Sequence, residues 1–167
     1  ANLIFDTTKK VISKLLYNLD TLSQVLYTFV MNDCIFCKIV SGEIPSHKVY
    51  EDNWSLAFLD IAPSSYGHTL VIPKDHFENI YTLPDETLAR LALTAKKVAL
   101  AVKNATLCDG VNLIMNNEKN AGQIIFHAHI HIIPRKENDG LKLFPHGSSA
   151  NEELIILSEK IKEQIKD

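Results

Sequence analysis

The chain has 167 residues and 46% of them are hydrophobic, which suits one globular domain with a substantial core. Its formal net charge of −3 and the lack of a basic run argue against a nucleic-acid polymer as a partner. No apolar stretch reaches the roughly 18 residues that a membrane-spanning helix needs, so the sequence predicts no membrane partner.

Residues 1–30 carry apolar side chains at helical spacing, interrupted by polar ones, and this pattern predicts an amphipathic helix. Two interpretations stay open: a helix that covers a docking or dimer surface, and an extension without a role. We therefore expect an N-terminal extension over residues 1–30, a domain over residues 31–140, and a C-terminal loop and helix over residues 141–167.

Cys34 and Cys37 follow the extension with the spacing Cys-x-x-Cys. Two thiolates at this spacing suit tetrahedral zinc, although a redox pair has the same spacing. The three cysteines do not resemble a secreted disulfide framework, so we expect a reducing, cytoplasmic setting. The apolar residues between and after the pair predict a short helix that ends at Gly42.

The middle of the chain predicts a sheet and one long helix. Strands are expected over residues 47–51, 56–60, 67–73 and 111–115, and the apolar stripe of residues 83–102 predicts a helix that lies on the sheet. Ser149-x-x-Glu152 suits a capping box for a last helix with its own apolar face. The predicted fold is α+β: a mostly antiparallel sheet of about five strands with the main helix and the C-terminal helix packed on it.

The most informative stretch is residues 122–135, where His127, His129 and His131 alternate with apolar residues. Alternation of this kind predicts a strand, on which the three imidazoles share one face and the apolar residues enter the core. Imidazole can switch charge near neutral pH, act as a nucleophile or bind a metal. Three in register therefore predict a functional site in preference to a surface or core arrangement.

The sequence of residues 127–133, His-Ala-His-Ile-His-Ile-Ile, resembles the signature of the histidine triad family of nucleotidyl hydrolases and transferases. Residues 34–45, 49–63, 67–76 and 116–135 resemble further family blocks, in family order. The chain is most similar to bacterial members related to purine-nucleoside phosphoramidases. The resemblance implies a homodimer that hydrolyses purine nucleoside phosphoramidates or related nucleotide conjugates, with dinucleoside polyphosphate hydrolysis as the alternative.

Catalytic roles follow from the same resemblance. His129 would attack the α-phosphorus and form a covalent nucleotidyl-histidine, while its other ring nitrogen donates to the backbone carbonyl of His127. His131 would bind the phosphoryl oxygens or help to protonate the leaving group, and Gln123 would stabilise developing charge. His68 would have a supporting role, and no cofactor is implied for catalysis.

Nucleotide-binding and metal-binding residues are implied as well. Asp60 would accept hydrogen bonds from the ribose hydroxyls, and Asn116 with the Gly122-Gln123 pair would approach the sugar or phosphate. The purine pocket would be lined by Ile35, Phe36, Ile39, Phe58 and Ile61, which from their composition alone would be ordinary core. A structural zinc ion would be held by Cys34, Cys37, His76 and His127.

Two positions depart from the family pattern. Glu118 stands where relatives usually have Gly. Ile124 stands where many relatives have Ser, Thr or Glu, so one candidate hydrogen-bond donor to the leaving group is missing at position 124. Two other functions stay open: a nucleotide-binding interaction protein with incidental activity, which an intact His129 disfavours, and a metal sensor without activity.

Overall fold

The computed structural model describes residues 33–142, 144–145 and 147–165, so the helix predicted within residues 1–30 lies outside the described residues. Five strands form one sheet: β1 (Lys48–Glu51), β2 (Ser55–Leu59), β3 (Thr69–Pro73), β4 (Gly110–Ile114) and β5 (Ile130–Arg135). Their order is β1-β2-β3-β5-β4 and every neighbouring pair is antiparallel. The described helices are α1 (Ile35–Ser41), α2 (Asp85–Thr106) and α3 (Asn151–Gln164), with 3-10 turns at Ile80–Thr82 and Lys119–Ala121. The predicted α+β class is confirmed.

The long helix α2 covers one face of the sheet. Pro84 precedes it, and Asp85 and Glu86 lie in its first turn, where negative charge complements the helix dipole. The helix ends at Leu107, which adopts a left-handed conformation with φ 52°. Its buried stripe packs on alternate residues of the strands, and this first core cluster comprises Ala57, Val71, Leu83, Leu91, Ala95, Val98, Val102, Ala128 and Ile132.

The opposite face of the sheet is covered in part by the short helix α1. Because side chains alternate along a strand, the neighbours of Ala57 and Val71 point to this side and meet Phe36 and Ile39 of α1. Gly42 ends α1 in a left-handed conformation and donates its backbone N–H to the carbonyl of Ile39. The second core cluster comprises Phe36, Ile39, Leu56, Phe58, Leu70 and Ile72.

The histidine-bearing strand is shorter than predicted, because β5 begins at Ile130 and contains only His131 of the three histidines. The backbone before it pairs with loops: the N–H of His127 donates to the Ile125 carbonyl, and that of Ala128 donates to the Phe77 carbonyl. The alternation of the side chains nevertheless extends back through this segment. Ala128 lies in the cluster under α2, while the histidines lie on the side of α1.

The C-terminal helix forms as predicted, but the prediction that it packs on the sheet is wrong. The apolar residues of α3 are between 52% and 57% exposed, and none of its described residues is buried. Neither core cluster of the described residues contains a residue of α3, because α2 and α1 supply the helical residues that pack on the strands. The cap also differs: the helix begins one residue later, and Glu153 accepts the backbone N–H of Ala150.

Among the helices that the structure describes, none combines the length and the apolar character needed to cross a bilayer.

Candidate active site

His129 is the central residue of the site, and its ring is oriented by the chain just before it. Its Nδ1–H donates to the backbone carbonyl oxygen of His127 at 2.6 Å, which leaves Nε2 with its lone pair exposed to the site. The side chain is 4% exposed, and this burial lowers the pKa of His129 below its ordinary value. The ring is therefore neutral at neutral pH and carries an unprotonated Nε2.

His131 is oriented by a chain of hydrogen bonds that starts at a backbone amide. The N–H of Ser64 donates to Nδ1 of His68 at 3.2 Å, so that nitrogen is an acceptor and the proton of His68 sits on Nε2. The Nε2–H of His68 then donates to Nδ1 of His131 at 3.0 Å. It follows that neutral His131 carries its proton on Nε2. Burial, with added repulsion from His129 and His68, lowers the pKa of His131 to about 4.

Asp60 lies directly after β2, and the His68 ring lies between Asp60 and His131. Its Oδ1 accepts the backbone N–H of Ala62 at 2.9 Å, and its Oδ2 lies 3.5 Å from His68 Nδ1. Burial lowers the pKa of His68, and the Asp60 carboxylate opposes that shift. The structure thus brings Asp60, His68 and His131 together.

The predicted purine pocket divides into buried and exposed members. The Phe36 ring packs edge-on against Phe58 at 5.6 Å and against His129 at 5.3 Å between ring centroids. Phe36, Ile39 and Phe58 are buried, which suits both a core and a pocket floor. Ile35 is 39% exposed and Ile61 is 89% exposed, so these two side chains are available to a ligand.

The loop before the histidines is held by Asn116 and Gln123. Asn116 Nδ2 donates to the carbonyl of Gly122 at 3.4 Å, and Gly122 has a φ of 88° that favours glycine. Gln123 is 2% exposed, and its amide donates to the carbonyls of Glu78 at 2.6 Å and Ile125 at 3.2 Å.

The contacts of Gln123 correct the role expected for its side chain. Its Oε1 also accepts the backbone N–H of Glu118 at 2.7 Å. Both amide hydrogens and the carbonyl oxygen are therefore used within the loop, because the loop backbone has no strand partner to satisfy it. Gln123 positions the loop and has no amide hydrogen left to stabilise charge at a phosphate.

A second cluster, formed by Cys34, Cys37, His76 and His127, lies beside the histidines with its ligand atoms within 4.8 Å of one another. Cys34 Sγ and Cys37 Sγ lie 3.5 and 3.6 Å from His127 Nδ1, and Cys37 Sγ lies 3.3 Å from His76 Nδ1. In a tetrahedral zinc site with ordinary bond lengths, sulfur and nitrogen ligands are about 3.6 Å apart. The Nε2 of His127 is 3.0 Å from the carbonyl oxygen of Pro73, the outer partner that a ligating histidine needs.

The electrostatics of this cluster fit a cation. Burial, followed by the neighbouring Cys34, raises the pKa of the Cys37 thiol to about 12. A thiolate at this position therefore requires a positive charge beside it. None of the three cysteines forms a disulfide bond.

The role of Arg135 could not be assigned from the sequence. Its guanidinium donates to the Asp139 carboxylate at 2.6 and 3.0 Å, to Asn112 Oδ1 at 2.6 Å and to the Leu141 carbonyl at 2.6 Å. Its position in the sequence is the feature that indicates a place near the site, because residues 131, 133 and 135 share one face of the histidine-bearing strand. Arg135 ties the segment after β5 to the sheet near His131.

Comparison with known proteins gives matches along most of the chain. The family model of the HIT domain matches residues 41–138, which include the three histidines. Adenosine 5'-monophosphoramidase hnt1 of Schizosaccharomyces pombe is 44% identical over 80% of this chain and 98% of its own length. The crystal structure of a HIT family member from Bacillus subtilis has a TM-score of 0.76 and 42% identity, over 81% of this chain and 99% of that one. A Zn-bound histidine triad protein from Mycobacterium smegmatis has a TM-score of 0.65 and 37% identity, over 80% of this chain and 96% of that one.

Proposed function

The chain belongs to the HIT family of nucleotide hydrolases and transferases, and from this premise we propose that it hydrolyses purine nucleoside phosphoramidates or related nucleotide conjugates. The product would be a nucleoside monophosphate. The observation that carries the proposal is the hydrogen bond from His129 Nδ1 to the His127 carbonyl, at 2.6 Å, within a buried and neutral ring. An imidazole held in this way presents an unprotonated Nε2, which is what a nucleophile at phosphorus requires.

In the proposed first step, Nε2 of His129 attacks the α-phosphorus, an N–P bond forms, and the bond to the leaving group breaks. The leaving amine retains the electron pair and takes up a proton. His131 donates its Nε2–H to the transferring phosphoryl group or to the departing atom, in the tautomer that His68 fixes. Water then cleaves the N–P bond and releases the nucleoside monophosphate.

The nucleoside would be bound on the side of α1. Ile35 and Ile61 offer exposed apolar side chains, the buried Phe36 ring lies beside His129, and Asp60 offers a carboxylate oxygen to a ribose diol. Asn116 and Gly122 bring polar backbone and amide groups to the phosphate. The left-handed conformation of Gly122, with a φ of 88°, favours glycine and holds its carbonyl next to the Asn116 amide.

A structural zinc ion on Cys34, Cys37, His76 and His127 belongs to the same proposal. The sulfur–nitrogen separations of 3.3–3.6 Å fit its coordination, and a similar protein is Zn-bound. Bound there, zinc would stabilise the two thiolates and link α1 to the chain before β5. Thiol ligands of this kind must remain reduced, which is consistent with the cytoplasmic setting that the sequence predicts.

A homodimer is also proposed, with α2 and β1 in the interface. An apolar cavity of about 330 Å³ lies between these elements, and Val49 of β1, which lines it, is 49% exposed. Val49→Glu should yield a monomer in light scattering, because it places a charge in the apolar lining of the cavity. Tyr81→Glu, at a 73% exposed position outside the cavity lining, is the matched control and should remain dimeric.

The test of the proposed activity is AMP release from AMP phosphoramidate by the parent protein, His129→Ala and His47→Ala. His47 is an exposed histidine and serves as the matched control. We expect His129→Ala to lose several orders of magnitude in rate and His47→Ala to retain the parent rate. Equal rates in all three proteins would contradict the assignment of the nucleophile, and no release by the parent would contradict the proposed substrate.

A further inference from the structure

One side of the metal cluster is reached through a cavity of about 440 Å³. The lining contains two members of the cluster and an apolar rim: Cys34, His76, Ile35, Ile124 and Phe126. Ile124 is 84% exposed among the described residues, so the cavity has an open mouth toward solvent. Cys37 and His127 belong to the same cluster and lie outside this lining.

The cysteines of the chain differ in their access to a small reagent. Cys34 is half-buried and lies at the cavity wall, whereas Cys37 is 6% exposed and packs against the histidines of the cluster. Cys108 is 5% exposed and lies outside the cluster. Sulfur atoms that serve as metal ligands are deprotonated, and the thiolate is also the form that a peroxide oxidises. A peroxide that enters the cavity therefore meets Cys34 first.

Cys34 and Cys37 are also spaced for a disulfide bond. Cys34 is the N-cap of α1 and its carbonyl accepts the N–H of Lys38 at 3.1 Å, so the two cysteines lie in one helical turn. Residues three apart in such a turn have Cα atoms about 5 Å apart, inside the range of about 4.4–6.8 Å that disulfide bonds span. The two sulfur atoms lie within 4.8 Å of each other. A bond between them can therefore form while α1 stays intact.

His127 connects this pair of cysteines to the proposed nucleophile. Its Nδ1 lies 3.5 and 3.6 Å from the sulfur atoms of Cys34 and Cys37. Its backbone carbonyl accepts the Nδ1–H of His129 at 2.6 Å. A disulfide bond leaves the cluster with the nitrogen atoms of His76 and His127, which are too few for a tetrahedral structural zinc site. The residue whose carbonyl orients His129 then loses the partners of its own side chain on the side of α1.

We propose that Cys34 is a site of oxidation by peroxides, that Cys37 converts the oxidised residue into a disulfide, and that hydrolysis slows as the metal is released. The inference rests on the proposed function, since it assigns a regulation to the same cluster and nucleophile.

The two steps balance with a peroxide as the oxidant. The Cys34 thiolate attacks one oxygen of hydrogen peroxide, the O–O bond breaks, and a sulfenic acid forms as hydroxide leaves. The Cys37 sulfur then attacks the Cys34 sulfur, the S–S bond forms, and a second hydroxide leaves. Both hydroxide ions take up a proton from solvent. The two sulfur atoms thus lose two electrons, and the peroxide is reduced to two molecules of water.

The test treats the full chain with hydrogen peroxide and follows three quantities. These are the cysteines still alkylated by iodoacetamide after quenching and unfolding, the zinc released to a colorimetric chelator, and kcat/KM for AMP phosphoramidate. We expect Cys34 and Cys37 to escape alkylation, zinc to be released, and kcat/KM to fall about tenfold or more, because a small displacement of a catalytic group has an effect of this size. Dithiothreitol with added zinc should restore all three quantities. Cys108→Ser is the matched control and should respond as the parent does.

Two further variants test the order of the steps. Cys37→Ser should retain the sulfenic acid on Cys34, detected as a dimedone adduct. Cys34→Ser should react with peroxide about tenfold more slowly than the parent, because its remaining cluster thiol is buried, and its kcat/KM should be insensitive to peroxide.

The possible outcomes separate this inference from the proposed function. Full alkylation of all three cysteines in the treated parent, or a dimedone adduct on Cys108 in place of Cys34, would overturn the oxidation site. A disulfide with an unchanged kcat/KM would overturn its connection to His129. Failure of the untreated parent to hydrolyse AMP phosphoramidate would contradict the proposed function, whereas the alkylation pattern would still decide whether the disulfide forms.

Discussion

Phe36 is the residue through which the core and the proposed nucleophile are coupled, so its truncation should affect both stability and rate. Its side chain is 6% exposed and packs edge-on against Phe58, His127 and His129, with centroid distances of 5.6, 5.8 and 5.3 Å. Truncation of a buried Phe to Ala costs about 3–5 kcal/mol. A volume-conserving change to Leu keeps most of the apolar burial and should cost less than about 1.5 kcal/mol.

The assay for this prediction is urea unfolding of Phe36→Ala and Phe36→Leu against the parent protein, together with steady-state hydrolysis of AMP phosphoramidate. We expect Phe36→Ala to lose a large share of a typical stability of 5–15 kcal/mol and to lower kcat/KM, because the His129 ring loses a contact that holds it. Phe36→Leu should retain the fold while KM rises, since the ring face offered to the purine is lost. A cost below about 1.5 kcal/mol for Phe36→Ala, with unchanged kcat/KM, would refute the coupling.

Three further predictions concern the metal cluster, the pH dependence and the loop before the histidines. Cys37→Ser should lose the zinc found by elemental analysis, whereas Cys108→Ser, at a buried cysteine outside the cluster, should retain it; zinc in neither parent nor control would contradict the site. The acid limb of kcat/KM should have its midpoint below pH 6.5, because burial lowers the pKa of His129 and attack requires the unprotonated ring; a midpoint above that value would contradict a buried nucleophile. Gln123→Ala should lower the free energy of unfolding by about 1–3 kcal/mol by leaving partly buried backbone groups without their side-chain partner, and an unchanged urea midpoint would contradict the positioning role drawn from its three hydrogen bonds.

The elements that the sequence predicts well are those whose patterns are local. The helix predicted over residues 83–102 and the strands predicted over residues 56–60 and 67–73 follow from local patterns of apolar residues, and α2, β2 and β3 form at these places. The start of β5 is not local, because the backbone of His127 and Ala128 pairs with Ile125 and Phe77 in loops. The periodicity gives the faces of these residues correctly but cannot show which backbone partner each one finds.

The functional site also combines features that follow from local sequence patterns with features that depend on contacts between distant residues. The alternation of the histidines places them on one face, yet the tautomer of His131 depends on the backbone amide of Ser64, acting through His68. The apolar face of α3 predicts a buried helix, and the structure leaves this face exposed and outside both core clusters. The hydrogen bond from the Gln123 amide to the Glu78 carbonyl could not be predicted from the sequence either, because the two residues are distant in sequence and meet only where two loops come together.

The central claim is that His129 carries the nucleotidyl group, and mass spectrometry after a rapid acid quench tests it most directly. The parent protein and His129→Ala would each be mixed briefly with AMP phosphoramidate, quenched and weighed intact, with peptide mapping of any adduct. We predict an added nucleotidyl mass on His129 in the parent and none in the variant. An adduct on another residue, or AMP release by His129→Ala at the parent rate, would contradict the claim.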